Sequence, residues 1–441
     1  MVSIADSPQS VILEASELRG TMGKPNLCIA HSGGVTAILN TTAAATIRRA
    51  RESQQFGTIY AAEFGLNGLV SGRLFDTTPL TDTQLTQLSH TPSSAFGSCR
   101  FKLPDYTADP KPYQQIMQTC ADFNIQYLVY QGGNDSQDTT LKLSAAQSHF
   151  SHPLAVIGLP KTIDNDLEGT DFCPGYPSAA KYIATSIQEA ALDTWAMSKN
   201  STQVFILEVM GRHTGWLALA AGIARSHPEQ APHSILIPER SFCKKTWLDY
   251  VKRCVSQYGF CVVVASEGIT DQQGNALVAQ SRTDAFGHKQ LGGVGAYLAD
   301  LVSTQAGLKA HWALPDYLQR SAGHLRSAAD VACAQQLGEA AIDALLNGQH
   351  SVMLALSRTQ STPVSWQTTT IDLNQCANLE KTCPLDYLEA ETNLLSDAAK
   401  SYLTPLLTGE ASPEFMHGTP AYFNRSDLRL ALHPNTTEQI V

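Results

Sequence analysis

No apolar run in the 441 residues is long enough to span a bilayer. The first twenty residues mix acidic and apolar side chains, without a basic region followed by an apolar core, so no signal peptide is read there. The ten cysteines are scattered, with no C-x-x-C pair and no Cys/His spacing typical of zinc. That excludes a zinc-ribbon or dithiol-redox protein and leads us to expect reduced thiols in the cytoplasm. Positive charge is in short supply: 30 Lys and Arg stand against 40 Asp and Glu, for a net charge of -10. A general nucleic-acid or membrane-surface binder is thereby disfavoured, although a local cluster of Lys and Arg can still hold an anionic substrate. Internal repeats and low-complexity tracts are also missing. What remains is ordinary for a soluble globular protein, with 43% hydrophobic and 16% charged residues and length enough for two or three domains.

From Asn26 onward one pattern recurs: a short apolar run, a glycine-rich or polar turn, then a helical stretch. Leu27–Ala30 leads into His31-Ser32-Gly33-Gly34, and Ile125–Tyr130 into Gln131-Gly132-Gly133-Asn134-Asp135-Ser136. Leu154–Gly158 leads into Leu159-Pro160-Lys161-Thr162-Ile163-Asp164-Asn165-Asp166. Val204–Val209 leads into Met210-Gly211-Arg212, Ser234–Ile237 into Pro238-Glu239, and Phe260–Ala265 into Ser266-Glu267-Gly268. Strands alternating with helices imply parallel βαβ units and an α/β fold. Residues 1–24 read as a peripheral arm, and the Ser/Thr/Pro-rich stretch from Pro79 to Asp109 as long loops around Phe96–Arg100. Beyond about Asn347 the chain turns polar and Gln/Thr-rich; it is expected to add helices or cover an edge, and no chemistry is found in it.

In an open parallel sheet, ligands bind beyond the carboxyl ends of the strands, where these loops fall. Gly33-Gly34 permits close backbone approach to an anion at a helix start, although a plain tight turn explains the pair equally well. In the Gly132–Ser136 loop, Asn134 and Asp135 offer oxygen ligands for Mg²⁺ and Ser136 a donor to phosphate; the bland alternative is a helix N-cap. Asp164 can accept a hydroxyl proton as general base, Asp166 can help hold it or a metal, and Lys161 can neutralise phosphate charge. The competing reading is an Asx-turn with solvated carboxylates. Arg212 can fork onto a phosphate or carboxylate, and an anion there would offset the poor placement of a cation at a helix start. Arg100 and Arg320 are similar loop candidates, and Glu239 can accept hydrogen bonds from sugar hydroxyls. The set converges on phosphoryl transfer to a phosphorylated polyol, which needs Mg²⁺, cations around the moving group and a base for the attacking hydroxyl.

In their order along the chain, from Gly33-Gly34 through Gly97-Ser98-Cys99-Arg100 and Pro160–Asp166 to Leu318-Gln319-Arg320, these motifs resemble the phosphofructokinase family over roughly residues 26 to 345. The likeness is to the branch that uses pyrophosphate in place of ATP. It implies two Rossmann-like three-layer domains with mainly parallel sheets and a site in the cleft between them. The expected division is 22–175 plus about 321–350 for the phosphoryl donor, 176–320 for the sugar phosphate, and 351–441 as a C-terminal extension. It further implies that Asp164 takes the proton of the sugar C1 hydroxyl while Thr162 and Asp166 orient the reacting groups. Arg212 and Arg100 face the transferring phosphate. Met210, Gly211, Glu239, His311, Tyr317 and Arg320 hold fructose 6-phosphate. Gly33, Gly34, Gly133, Asp135, Ser136 and Lys161 line the donor site, and Mg²⁺ sits near Asn134 and Asp135. ATP-using relatives carry Gly at Asp135 and typically at Lys161; a carboxylate at the first position repels a nucleotide's α-phosphate, and an ammonium at the second favours compact pyrophosphate.

Five positions depart from the family pattern, among them Asp316 and Tyr317 in place of the more familiar Gly-His or Gly-Tyr. Asn134 replaces an Asp, while His311 and Gln203 replace two arginines that reach the sugar phosphate across a subunit interface. A homodimer or homotetramer is the expected assembly. Two alternatives stay open at this point, an ATP-dependent 6-phosphofructokinase and a non-catalytic sugar-phosphate-binding subunit.

Overall fold

The computed structural model describes residues 23–283, 289–389 and 394–432, so most of the proposed N-terminal arm lies outside the described residues. In chain order the strands are β1 (Asn26–His31), β2 (Ile59–Ala62), β3 (Arg73–Asp76), β4 (Ile125–Gly132), β5 (Ala155–Pro160), β6 (Val204–Val209), β7 (Ser234–Leu236) and β8 (Cys261–Ser266). They continue with β9 (Ala279–Thr283), β10 (Lys289–Leu291), β11 (Ala310–Ala313), β12 (Val352–Arg358), β13 (Trp366–Asp372), β14 (Phe415–Met416), β15 (Thr419–Pro420) and β16 (Arg429–Leu432). The larger sheet has eight strands in the order β13-β12-β5-β4-β1-β2-β3-β16, and a second has four in the order β11-β6-β8-β7. The central pairs β1–β4, β4–β5, β6–β8 and β7–β8 are parallel, while β3, β13 and β16 run antiparallel to their neighbours.

Both faces of the central strands are buried, which is why they read as unbroken apolar runs. In β1, Leu27 and Ile29 join one core while Cys28 and Ala30 join another. Val129 and Leu128 of β4 divide in the same way. One face is covered by helices Leu39–Ser53 and Ala328–Leu346, the other by helices Lys111–Asp122 and Asn134–Ala146. Helices 39–53 and 328–346 approach closely at Gly338, whose missing side chain makes room for the carbonyl of Thr42. The second sheet splits its residues likewise: Val262 and Val264 of β8 join the core that also holds Leu27, while Val263 and Ala265 face a third core with Trp247 and Val251. Helix Tyr176–Met197 contributes Ile183 and Ile187 to the first core, so one continuous apolar body backs both sheets.

Two expectations change. The stretch from Pro79 to Asp109 holds a helix at Asp82–His90, closed by a capping box between Thr81 and Gln84 and anchored by buried Leu85 and Leu88. The chain beyond Asn347 adds a helix at Asp397–Leu407 and covers both edges of the larger sheet, as expected: β12 continues it beside β5, β13 closes that edge, and β16 lies at the other edge, next to β3. Its polar Thr/Gln-rich character follows from β13 being an edge strand with most of its residues exposed. Residues assigned to a C-terminal extension thus form part of the larger sheet.

Candidate active site

The carboxyl ends of β1, β4 and β5 meet those of β6 and β8, and the motif loops emerge at that junction. Lys161 N–H donates to Gly132 O (3.0 Å), which ties the loop after β5 to the loop after β4. Gly33 N–H donates to Cys99 O (2.9 Å) and Ser98 Oγ to Gly33 O (2.8 Å), bringing the Arg100 loop onto the loop after β1. Gly33 itself takes a φ of 75°, a conformation that disfavours a side chain. From the second sheet, Thr214 Oγ1 donates to Asp164 O (3.1 Å), and Gln319 Oε1 accepts from Met210 N–H (3.2 Å). These bonds join the Met210-Gly211-Arg212 turn to the base loop on one side and to the Leu318-Gln319-Arg320 segment on the other. Gly211, at φ 141°, leaves no room for a Cβ against Thr214 O and Ser266 Oγ.

Within the base loop, Asp164 N–H donates to Thr162 Oγ1 (3.1 Å), and Asn165 adopts a left-handed φ of 54°. That turn holds Asp164 and Asp166 on either side of one buried amide. Burial pushes the Asp164 carboxyl up to about 7; Asp166 and Glu267 add to the rise, while Arg212 and Lys161 oppose it. Asp166 is also raised, first by burial and then by Glu380.

Lys161 is almost fully buried, with Nζ donating to Ser32 O (2.8 Å) and Gly34 O (2.5 Å). It therefore props the Gly33-Gly34 turn from beneath as well as supplying charge. Burial, then the nearby Arg320, lowers it to about 7, while Asp164 and Asp166 pull the other way. Arg320 carries its guanidinium 4.2 Å from the Tyr317 ring centre, and an Nη lies 3.3 Å from where a Cβ on Gly34 would sit. Its own pKa is lowered by burial, and Arg100 contributes to the same shift. Arg320 thus lies near enough to Lys161 and to Arg100 for repulsion with each, and an anion beside it relieves that repulsion.

Most sequence-predicted residues are brought together: Gly33, Gly34, Gly133, Ser136, Lys161, Thr162, Asp164, Asp166, Met210, Gly211, Arg212 and Arg320, with Arg100 on the adjoining loop. Asp135 and Asn134 occupy the first turn of helix 134–146, half-exposed. Tyr317 is largely exposed and serves the site through Arg320. His311 is exposed on β11, an edge strand, and among the described residues no hydrogen bond ties it to the Asp164 loop. Glu239 is half-buried at the turn after β7. Its carboxylate accepts from Gly215 N–H (3.1 Å) and from Cys383 N–H (2.9 Å), so its oxygens are engaged with backbone.

Two elements were missed. Glu267, at the end of β8, lies within reach of Gly211 N–H (3.5 Å), feels the charge of Arg212, and raises Asp164. The Ser266-Glu267-Gly268 turn after an apolar run was the available signal. The second is the stretch from Asn378 to Cys383, for which the sequence carried none. Asn378 Nδ2 donates to Asp138 Oδ1 (3.0 Å), and Leu379 O accepts from Asn134 Nδ2 (2.8 Å). Glu380 bridges Leu167 through its backbone and pairs with His213 Nδ1 (2.7 Å). Lys381 N–H donates to Asp166 O (2.8 Å), and Lys381 O accepts from Trp216 Nε1 (2.9 Å).

A parallel-sheet enzyme with a half-buried carboxylate beside cations at its strand ends is the class this geometry defines. Residues 26–345 match the family model for phosphofructokinase, and the chain belongs to that family. It is 44% identical over 412 residues to the pyrophosphate–fructose 6-phosphate 1-phosphotransferase of Xanthomonas campestris pv. campestris (strain B100), spanning 93% of this chain and 98% of that protein. The like-named protein of Methylococcus capsulatus is 41% identical over 91% of this chain and 96% of its own length. Among solved structures, the pyrophosphate-dependent phosphofructokinase from Marinobacter aquaeolei superposes with a TM-score of 0.84 at 40% identity, covering 95% of this chain and 98% of that one.

Proposed function

We propose that this chain transfers a phosphoryl group from pyrophosphate to the C1 hydroxyl of fructose 6-phosphate, giving fructose 1,6-bisphosphate and phosphate. The observation that carries the reading is the seating of Asp164 between Lys161 and Arg212, with Arg320 and Arg100 adjoining. In the forward direction Asp164 takes the C1 hydroxyl proton as that oxygen forms its bond to phosphorus. The bond from phosphorus to the bridging oxygen of pyrophosphate breaks, and phosphate leaves with the electron pair. Lys161, Arg212 and Arg100 supply fixed positive charge around the moving group. An aspartate raised by burial is a stronger base than an exposed one, and the approach of cations keeps it ionised when needed. Thr162 and Asp166 hold the base loop in register. Glu267, in place of Glu239, accepts from sugar hydroxyls beside Met210 and Gly211, and Arg320 meets the sugar's phosphate.

The residues present fit Mg²⁺. Asn134 and Asp166 each leave a buried side-chain oxygen without a hydrogen-bond partner, and Asp135 adds a carboxylate, a donor set of hard oxygens. Leu379 O takes the amide nitrogen of Asn134, which leaves its oxygen as the group available to a cation. When bound, the ion neutralises charge on the donor's phosphate oxygens. Asp135 and Lys161 are the pair that favours pyrophosphate over ATP. A homodimer or homotetramer is supported by exposed Trp312 on β11, the outer strand of the second sheet, and by exposed Leu314, Tyr317 and Leu318 in the segment that follows it. None of the helices among the described residues is long and apolar enough to cross a membrane, and all ten cysteines are free, which suits a reducing cytoplasm. Purified protein supplied with fructose 6-phosphate and either donor tests the reading: turnover with pyrophosphate is expected, and a clear preference for ATP overturns the donor assignment.

A further inference from the structure

The loop that carries Asp164 and Asp166 is held in shape by residues from beyond the stretch matched by the family model, which ends at residue 345. Asn165, fully buried between the two carboxylates, sits in a left-handed conformation open mainly to Gly and Asn. Its Oδ1 accepts from Cys173 N–H (2.9 Å) and lies 3.4 Å from Lys381 Nζ; its Nδ2 donates to Tyr402 Oη (3.0 Å). The same ammonium donates to Thr170 O (3.0 Å) and Asp171 O (2.9 Å), so all three of its hydrogens are directed at one segment. Tyr402 Oη in turn donates to Asp171 O (2.7 Å), and the backbone of Lys381 holds Asp166 O. Both side chains therefore close on the return limb of the base loop, residues 165–171. Taking an ammonium this far from water is costly unless its partners are good, and the acceptors here are two carbonyls and an amide of that limb.

We infer that Lys381 and Tyr402 are positioning residues for the phosphoryl transfer, fixing through Asn165 the directions of Asp164 and Asp166. The inference rests on the function proposed above only in needing a turnover to measure. Neither residue touches the reacting atoms. Their contribution is to geometry at the moment of transfer, where a displacement of the base by a fraction of an ångström is felt in kcat more than in substrate affinity.

The test is steady-state kinetics of Lys381→Met, which keeps the apolar stem, and Tyr402→Phe, which removes one hydroxyl, beside the wild type. Wild-type turnover with fructose 6-phosphate and pyrophosphate checks the function itself; should ATP prove the donor, the same comparison is made with ATP. Expected for Lys381→Met is a kcat lower by roughly 10- to 100-fold with KM for both substrates within about threefold. Tyr402→Phe should lose about 3- to 10-fold in kcat with the same pattern, and it serves as the informative variant if Lys381→Met does not fold. A folded variant with unchanged kcat overturns the inference, and so does a loss confined to KM.

Discussion

Replacing Asp164 by Asn removes a charge that the fold holds at a cost, so it should inactivate the enzyme while stabilising it. Asp164 moves from 3.8 to about 7 in the folded chain. At about 1.36 kcal/mol per unit, the ceiling on the stability cost of ionising it is roughly 4 kcal/mol. The residue is only half-buried, and Asp166 shares the shift, so about 1–2 kcal/mol is the working figure. The sign follows from linkage. Below about pH 4 the group is protonated in both folded and unfolded chains and costs nothing. As pH rises toward 7 the unfolded chain ionises first, and the folded state loses ground until its own carboxyl titrates. Asn is spared that loss, so its advantage over wild type is small at pH 4.5 and full by pH 8. Lys161 does not cancel the gain, because at about 7 it can shed its proton when its anionic neighbour is gone. For 441 residues each kcal/mol is worth about 1 °C in Tm, so scanning calorimetry should show a gain of about 1–2 °C at pH 8 that shrinks toward pH 4.5. Turnover of the same variant should fall by about 10²- to 10⁴-fold with fructose 6-phosphate binding still measurable by calorimetry. Near wild-type turnover, or a loss of stability equal at both pH values, would refute the reasoning.

Glu267→Gln should raise KM for fructose 6-phosphate by about tenfold or more. Glu239→Gln should instead leave KM near wild type and cost about 1–3 kcal/mol of stability by weakening its bonds to Gly215 and Cys383, as urea midpoints would report. The KM for pyrophosphate should climb as pH rises above about 7, by at most about tenfold per unit, because Lys161 loses its charge there; a Lys161→Arg enzyme, charged throughout, should lack that limb. Converting Asp135 and Lys161 together to Gly should raise the ratio of kcat/KM for ATP to that for pyrophosphate by about tenfold or more, and an unchanged ratio removes the pair as the donor filter.

The motif loops were legible because they sit at the ends of strands buried on both faces, whose apolar runs stand out without any periodicity. Leu154–Gly158 against the observed Ala155–Pro160 shows how little the strand ends moved. Helix Asp82–His90 was not legible because its apolar stripe is only Leu85 and Leu88, set among Ser, Thr and Gln. β13 escaped for a related reason: an edge strand with most residues exposed has no apolar run to find. Glu239 and Glu267 both follow apolar strands and look alike in one dimension. They differ in their backbone donors, which are Gly215 and Cys383 for Glu239 and Gly211, at 3.5 Å, for Glu267.

The strap from Asn378 to Cys383 marks the deeper boundary of what a sequence can reveal. Its bonds to Asn134, Asp138 and Asp166 close loops of more than 200 residues, yet closure entropy grows only with the logarithm of loop length. A distant segment can therefore brace a catalytic loop nearly as cheaply as a neighbouring one, and no spacing rule records the choice. Its residues are ordinary in composition, and Lys381 is distinguished only by the three acceptors that its ammonium meets along residues 165–171. The catalytic motifs within residues 26–345 thus specify which groups react. How rigidly Asp164 and Asp166 are aimed is decided by side chains outside that span, so a chain cut after residue 345 would keep every motif residue and lose the contacts of Lys381 and Tyr402 that hold Asn165 in its left-handed turn.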